Sequence, residues 1–329
     1  MERFQMSSLL GKNREHVVIH VGSVCLAVIS QLISDIFFTL DGCKPNALFQ
    51  ASYRNVSETF ALEVTMDWWS RYYWIIIDFW SLAWLLYAVF SLCKRNVLGP
   101  ESCNPEIHPP LFYVLWTMIN MARVCSMIVW DRHDISGGVT LTWIMPVLSF
   151  YMLYMSYSNL NKHKAWLAIN PRVFSVTRYL TQNGLAAFAW WTLLNALVDL
   201  GIVFKYKAGV PDPLISIVVL ILVAICALTW FFLQTFPLNK YLRHTYSVYA
   251  TLILGLGAMF TRSYRVNDLA ANTVYSGFLM LLMTIMSLAH LIFDCFRTEK
   301  PLATDFYLTS EGCNTVCQPE GNSKHKLQK

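Results

Sequence analysis

The sequence predicts an all-α membrane protein, a bundle of about eight transmembrane helices. Hydrophobic residues fill 56% of the 329 positions and charged residues only 14%, against about 25% charged in a soluble domain. Mean hydropathy is +0.43, and the apolar residues gather into runs close to the roughly 20 residues that a membrane-crossing helix needs. The 12 Trp and 16 Tyr fit aromatic belts at the two membrane interfaces.

Positions 1–16 are polar, carry Arg3, Lys12 and Arg14, and read as a short cytoplasmic N-terminal segment. The first span, 17–40, is a continuous apolar run interrupted at Ser34 and Asp35. It exceeds the about 7–15 residues of a signal-peptide core, which predicts a retained helix. Positions 41–71 form the longest loop and hold the sequon Asn55-Val56-Ser57, a glycan acceptor if the loop faces the lumen or the cell exterior. The second span, 72–93, stops before Lys94-Arg95 and a Gly-Pro turn. The third, 109–130, opens on Pro109-Pro110 and carries Arg123 in its interior. Five more follow at 184–204, 213–236 and 273–296, with 139–157 before them and a short 245–261 run among them. The Gly255-Leu256-Gly257 of that short run points to close helix packing. The bundle thus occupies 17–296, and 297–329 reads as a polar, mobile cytoplasmic tail.

Basic residues orient the bundle. With the N-terminus in the cytoplasm, the inner segments carry three Lys or Arg before the first span, two after the second, four after the fourth, two after the sixth and five in the tail. The outer loops carry three, one, two and two, and Arg123 completes the 25. Sixteen inside against eight outside predicts both termini in the cytoplasm. The same orientation puts Asn55 outside, where it can be glycosylated. Of the nine Cys, Cys25, Cys125 and Cys226 lie inside spans as small apolar side chains. Cys43 alone falls in an outer loop, so no outer disulfide can be drawn. Cys93 and Cys295, at inner span ends, are positioned for reversible palmitoylation.

Charged groups inside the spans are the candidate functional residues, because they are expensive in lipid and turn toward partners. At about 1.5 Å per residue, Arg123 lies roughly 10 Å below the outer end of its span. Asp35, Asp78 and Asp199 fall at a similar depth on three other helices. Helical spacing puts Trp116, Asn120 and Arg123 on one face, Trp191, Asn195 and Asp199 on another, and Trp74 with Asp78 on a third. Two readings follow. In one, these eight residues (Arg123, Asn120, Trp116, Asp78, Trp74, Asp199, Asn195, Trp191) form an outward-opening pocket, with Arg123 meeting an anionic ligand group. In the other, an Arg123–Asp78 or Arg123–Asp199 ion pair fixes helix packing and touches no ligand. Snorkelling of Arg123 to the surface would weaken both.

Several function classes find no support. There is no phosphate-binding glycine loop, nucleophile elbow, voltage-sensor arginine repeat or basic aromatic run for nucleic acid. His290 and Asp294 lie one helical turn apart, yet no tight histidine pair seeds a metal site. The Asp131-Arg132-His133 tripeptide looks like the Asp-Arg-Tyr of rhodopsin-like receptors but falls at an outer helix end instead of a cytoplasmic one. A seven-helix receptor would require cleavage of residues 1–40 as a leader; an intramembrane hydrolase is a third reading.

At Pro109-Pro110-Leu111-Phe112, Trp116-Thr117 and Val129-Trp130, the chain resembles the tryptophan-rich sensory protein/translocator family, in its long multi-span form. Leu185-Ala186 with Leu194-Asn195, approached through Pro171 and Phe174, matches a second helix of that family. Trp116 comes two residues early after the prolines, and Ala187 stands where that family has Trp. The resemblance covers about 109–260. It implies a helical bundle binding a hydrophobic or amphipathic molecule such as a porphyrin or sterol, with Trp116, Trp130 and Asn195 as the residues carried over.

The expected function is therefore that of a non-enzymatic, multi-pass membrane protein of the secretory pathway or plasma membrane. It would bind or transport a small hydrophobic or amphipathic ligand in an outer-half pocket around Arg123. The expectation includes no cofactor, no metal, and no partner beyond the lipid bilayer and that ligand.

Overall fold

The computed structural model describes residues 2–43, 48–96, 99–100, 105–163, 171–264 and 270–296. Its helices are α1 (Glu2–Gly42), a short α2 (Tyr53–Thr59), α3 (Arg71–Cys93), α4 (Pro110–Asp131) and α5 (Ile135–Lys162). They continue with α6 (Pro171–Tyr206), α7 (Asp212–Thr235), a single turn α8 (Asn239–Leu242), α9 (Ser247–Ser263) and α10 (Ala271–Phe296). The described strands are a two-residue ribbon, Arg95–Asn96 against Gly99–Pro100.

Seven of these helices are long and apolar enough to cross a membrane. Large apolar side chains such as Phe79, Phe90, Tyr154 and Leu281 remain exposed along them, as lipid contact permits. α9 has only 17 residues, about 25 Å of helix, yet its contacts reach both ends of the bundle. At its start, Asn183 Oδ1 accepts from the Tyr246 and Ser247 amides at 3.0 and 3.2 Å. At its finish, the Ala258 carbonyl accepts from the Asp67 amide and Thr261 Oγ1 from the Trp69 indole. Eight described helices thus run the depth of the bundle in alternating directions. The start of α1 and the finish of α10 lie at one end, and the 48–70 segment lies at the other.

Helix limits differ from the sequence expectation at three places. α1 starts at Glu2, so the N-terminal positions are helical and run directly into the first span, whose apolar length begins at Glu15. α5 extends past 139–157 at both ends. Asp134 caps its start by accepting from the Gly137 amide, and the polar 158–162 stretch stays helical. α6 reaches back to Pro171 through a π-helical stretch, Thr177–Gln182, where the Trp80 indole donates to the Leu180 carbonyl at 2.9 Å. The expected tail, 297–329, lies outside the described residues.

α6 is the central helix, packed by α3, α5, α7 and α9. Every residue from Thr181 to Thr192 is buried, so helices surround it on all sides. Small residues allow this closeness: Gly184 lies beneath the Trp80 indole, and Gly255 of α9 beneath Leu194. α4 ends abruptly because His133 adopts a left-handed φ of 62°, which turns the chain back into α5 within three residues.

The 48–70 segment, read from sequence as a loop, is a fixed lid across one end. Asp131, at the last turn of α4, accepts from the Gln50 and Ala51 amides at 3.0 and 2.8 Å. Lys205 of α6 donates to the Ala61 carbonyl at 2.7 Å and to Asp212 at 2.8 Å. Asp212 also accepts from the Glu63 amide. Phe60 packs edge-on against His133 and Tyr206, with ring centroids 5.5 Å away in each case.

A Cβ on Gly255 would fall 2.5 Å from Leu194 Cδ1, whereas one on Gly257 would meet nothing nearer than 3.6 Å. Gly255→Leu should therefore destabilise the bundle by about 1–3 kcal/mol through overpacking, and Gly257→Ala should be near neutral. Thermal unfolding of the two variants in detergent checks this, and equal midpoints would refute the close α6–α9 contact.

Candidate functional site

Arg123 is only 4% exposed, so its side chain does not snorkel to the surface. Asp78 of α3 takes its charge in a two-pronged pair: Nη1 donates to Oδ1 at 2.7 Å and Nη2 to Oδ2 at 2.8 Å. Asp35 of α1 lies 3.9 Å from Nη1 and accepts from Gln31 at 2.8 Å. The guanidinium stands 4.5 Å from the Trp74 ring centroid and 4.9 Å from that of Phe38. The Phe38 ring has a second guanidinium over it, Arg71 at 4.0 Å. Arg71 pairs with Asp41 at 3.1 Å and donates to the Phe38 carbonyl. Two arginine–aspartate pairs thus bracket one aromatic ring where α1, α3 and α4 meet.

Between these pairs and the lid lies a cavity of about 170 Å³. A water needs about 10–15 Å³ on this measure, so the space holds on the order of ten water-sized positions. Phe38, Tyr53, Phe60, Trp74 and Trp130 supply its aromatic wall, with Met66, Met127 and Met145 beside them. Arg71, Arg123, Asp41, Asp131, Asp199, Asn195, Ser126 and Thr142 bring polar groups to it. Burial raises the Tyr53 phenol above its ordinary value, which keeps the lid's hydroxyl a neutral donor. Above the lid, a wider vestibule shares Tyr53, Ser57, Met66 and Arg71 with the cavity. Those four side chains are what separate the two spaces.

Of the eight residues expected at the site, Arg123, Trp74, Asn195 and Asp199 line the cavity. Asp78 lies behind Arg123 as its counter-ion. Asn120 is buried and donates to Ser30 Oγ at 3.3 Å. Trp116 and Trp191 are wholly buried core residues: Trp116 packs on Trp84 and Phe188, and Trp191 on Tyr73 and Trp74. The three-carboxylate layer divides in the same way. Asp78 and Asp35 face Arg123, while Asp199 makes no ion pair with any described residue. Of the residues carried by the translocator resemblance, Trp130 and Asn195 line the cavity and Trp116 does not.

Sequence reading missed Asp41, Arg71, Tyr53, Phe60 and Asp131, all of which line it. Asp41 and Arg71 lie where a helix meets a loop, and a charge there carries no signal of burial. Asp131 sits in a tripeptide with no expected role at the site, yet it is 4% exposed and holds the lid. Asn55 is exposed on α2, and Cys93 and Cys295 are exposed near the opposite end of the bundle.

At that opposite end, His290 Nε2 lies 2.8 Å from the Arg243 carbonyl and 3.1 Å from Gln234 Nε2, while Asp294 pairs with Arg243 and Tyr246. Among the described residues, no three His, Cys, Asp or Glu side chains converge to hold a metal.

The fold and its apolar helices define a multi-pass, all-helical membrane protein. No family model, no curated protein and no solved structure matches the chain.

Removing one partner of a buried pair strands the other charge, at about 3–5 kcal/mol. Arg123→Ala should therefore lower the thermal midpoint sharply, and adding Asp78→Ala should restore part of it. Adding Asp199→Ala should restore nothing. A double-mutant cycle by thermal unfolding in detergent measures both couplings, and equal coupling to the two aspartates would contradict the observed pairing.

Proposed function

We propose that this protein binds, and as an extension transports, a small amphipathic molecule in the cavity beneath the 48–70 lid, without catalysis. The observation that carries the reading is the cavity itself, an aromatic chamber whose polar groups converge from α1, α3, α4, α5 and α6. Ligand sites are typically mostly apolar concavities with a few placed polar groups. The methionines add walls that can adapt to shape. The vestibule supports a route from the lid side through the Tyr53, Ser57, Met66 and Arg71 partition.

The translocator resemblance is retained as a proposal about ligand character, hydrophobic or amphipathic. The cavity's size favours a molecule well below a porphyrin or sterol. The receptor reading is less well supported, because cleaving residues 1–40 would remove Asp35 and Phe38 from the site and most of α1 from its packing against α4 and α3. For orientation, the Lys and Arg excess and the exposed Asn55 at the lid end favour a lid facing the lumen or exterior, with both termini cytoplasmic.

Two outcomes are expected. Native mass spectrometry of the purified wild type should find a bound small molecule. Val198→Phe, which fills the cavity from α6, should lose it while remaining folded. Retention by that variant would place the ligand elsewhere, and an empty wild type would remove the reading's support. For orientation, glycosidase treatment should shift the wild-type band on a gel but leave Asn55→Gln unshifted. An N-terminal tag accessible on intact cells would reverse the assignment.

A further inference from the structure

We propose that the ligand of this cavity is a small organic cation, an ammonium group on an apolar body, held by the carboxylate of Asp199. The inference rests on the cavity being a ligand site and adds the sign of the ligand's charge.

Two cations line the cavity, and both are already matched: Arg123 by the two-pronged Asp78 pair, Arg71 by Asp41 at 3.1 Å. An anionic ligand would have to displace a carboxylate from one of these pairs, and Arg123 holds Asp78 through both oxygens. Of the remaining carboxylates, Asp131 accepts two lid amides and lies 4.0 Å from Arg132, and Asp35 shares Arg123 and Gln31. Asp199 is left. It faces the cavity, the Thr142 hydroxyl is the polar side chain beside it, and no described cation pairs with it. With Arg132 beside Asp131, the layer presents three guanidinium groups to five carboxyl groups, in surroundings where an unmatched charge is costly. A bound cation resolves that excess; a bound anion enlarges it.

The walls agree with this sign. Trp74 and Phe38 present ring faces that already hold guanidinium groups, so the chamber favours cations over π-faces. Trp130 and Phe60, packed 5.8 Å apart by ring centroids, carry no guanidinium and supply further aromatic wall for a ligand's apolar body. Asn195 donates its amide to the Trp191 carbonyl at 2.7 Å, which leaves its Oδ1 as an acceptor one helical turn from Asp199. Two acceptors on one face of α6 suit a group that only donates, as an ammonium does.

The test uses the full chain in lipid nanodiscs and three probes of matched size: 2-phenylethylammonium, 2-phenylethanol and phenylacetate. Quenching of tryptophan fluorescence reports binding, because Trp74 and Trp130 line the cavity. The ammonium should bind about tenfold to a hundredfold more tightly than the alcohol, the range that a charge-assisted hydrogen bond supplies, and phenylacetate more weakly than either. Asp199→Asn, which keeps the shape, should bring the ammonium down to the affinity of the alcohol and leave the alcohol unchanged. Wild-type selectivity is a measurement independent of that variant's folding. If the alcohol or phenylacetate equals the ammonium in the wild type, or Asp199→Asn keeps the preference, the cation assignment is overturned and the cavity reading stands. If none of the three binds saturably, the cavity reading falls, and the cation assignment with it.

Discussion

A guanidinium within a membrane protein must find its counter-charge inside the fold, and the Arg123–Asp78 pair is the constraint on which the lid half of this bundle depends. Both Asp78 oxygens accept from Arg123, which fixes the rotation and depth of α3 against α4 together. Asp35 and Phe38 then bring α1 to the same point. Such a pair contributes little net stability, because removing two charges from water costs about as much as their attraction returns. Its consequence is positional: a one-residue slip of any of the three helices would leave a charge unmatched in a medium that does not tolerate it.

The lid follows from the same economy of polar groups. Loop backbone at a bundle end needs partners for its amides and carbonyls, and here helix termini supply them. Asp131 accepts from Gln50 and Ala51, Lys205 donates to Ala61, and Asp212 accepts from Glu63. Because these anchors ring the rim, the lid spans the space above Arg123 without filling it. The cavity is the volume left between a charge layer fixed in depth and a lid fixed at its edges. Asp199 belongs to neither set of contacts, and so its carboxylate faces the cavity.

Periodicity and depth carried much of this site and failed in an instructive way. Spacing by four correctly put Asn195 and Asp199 on one face of α6, and counting from helix ends put Asp35 and Asp78 near Arg123. The same rules grouped Trp116 and Asn120 with Arg123. Those two lie deeper in the bundle, where Trp84, Phe188 and Ser30 already fill the space. A helical face is a stripe along the whole helix, whereas a cavity occupies a slice across the bundle. Sequence spacing reads the stripe, and only packing selects the slice. Arg71, Asp41 and Asp131 escaped because a charge at a helix end is ordinary, and its burial depends on a lid drawn over it from elsewhere in the chain.

By itself, then, the sequence determined that the chain is a helical membrane bundle and that Arg123 requires carboxylate company at its depth. These are consequences of hydrophobicity, helical rise and the cost of charge in lipid, all local or additive along the chain. The tertiary structure decided which carboxylate takes the arginine, that the 48–70 segment lies across the layer, and that Asp199 is left facing the aromatic cavity. Those outcomes depend on side chains far apart in sequence competing for the same partners, and that competition is settled only when the helices pack.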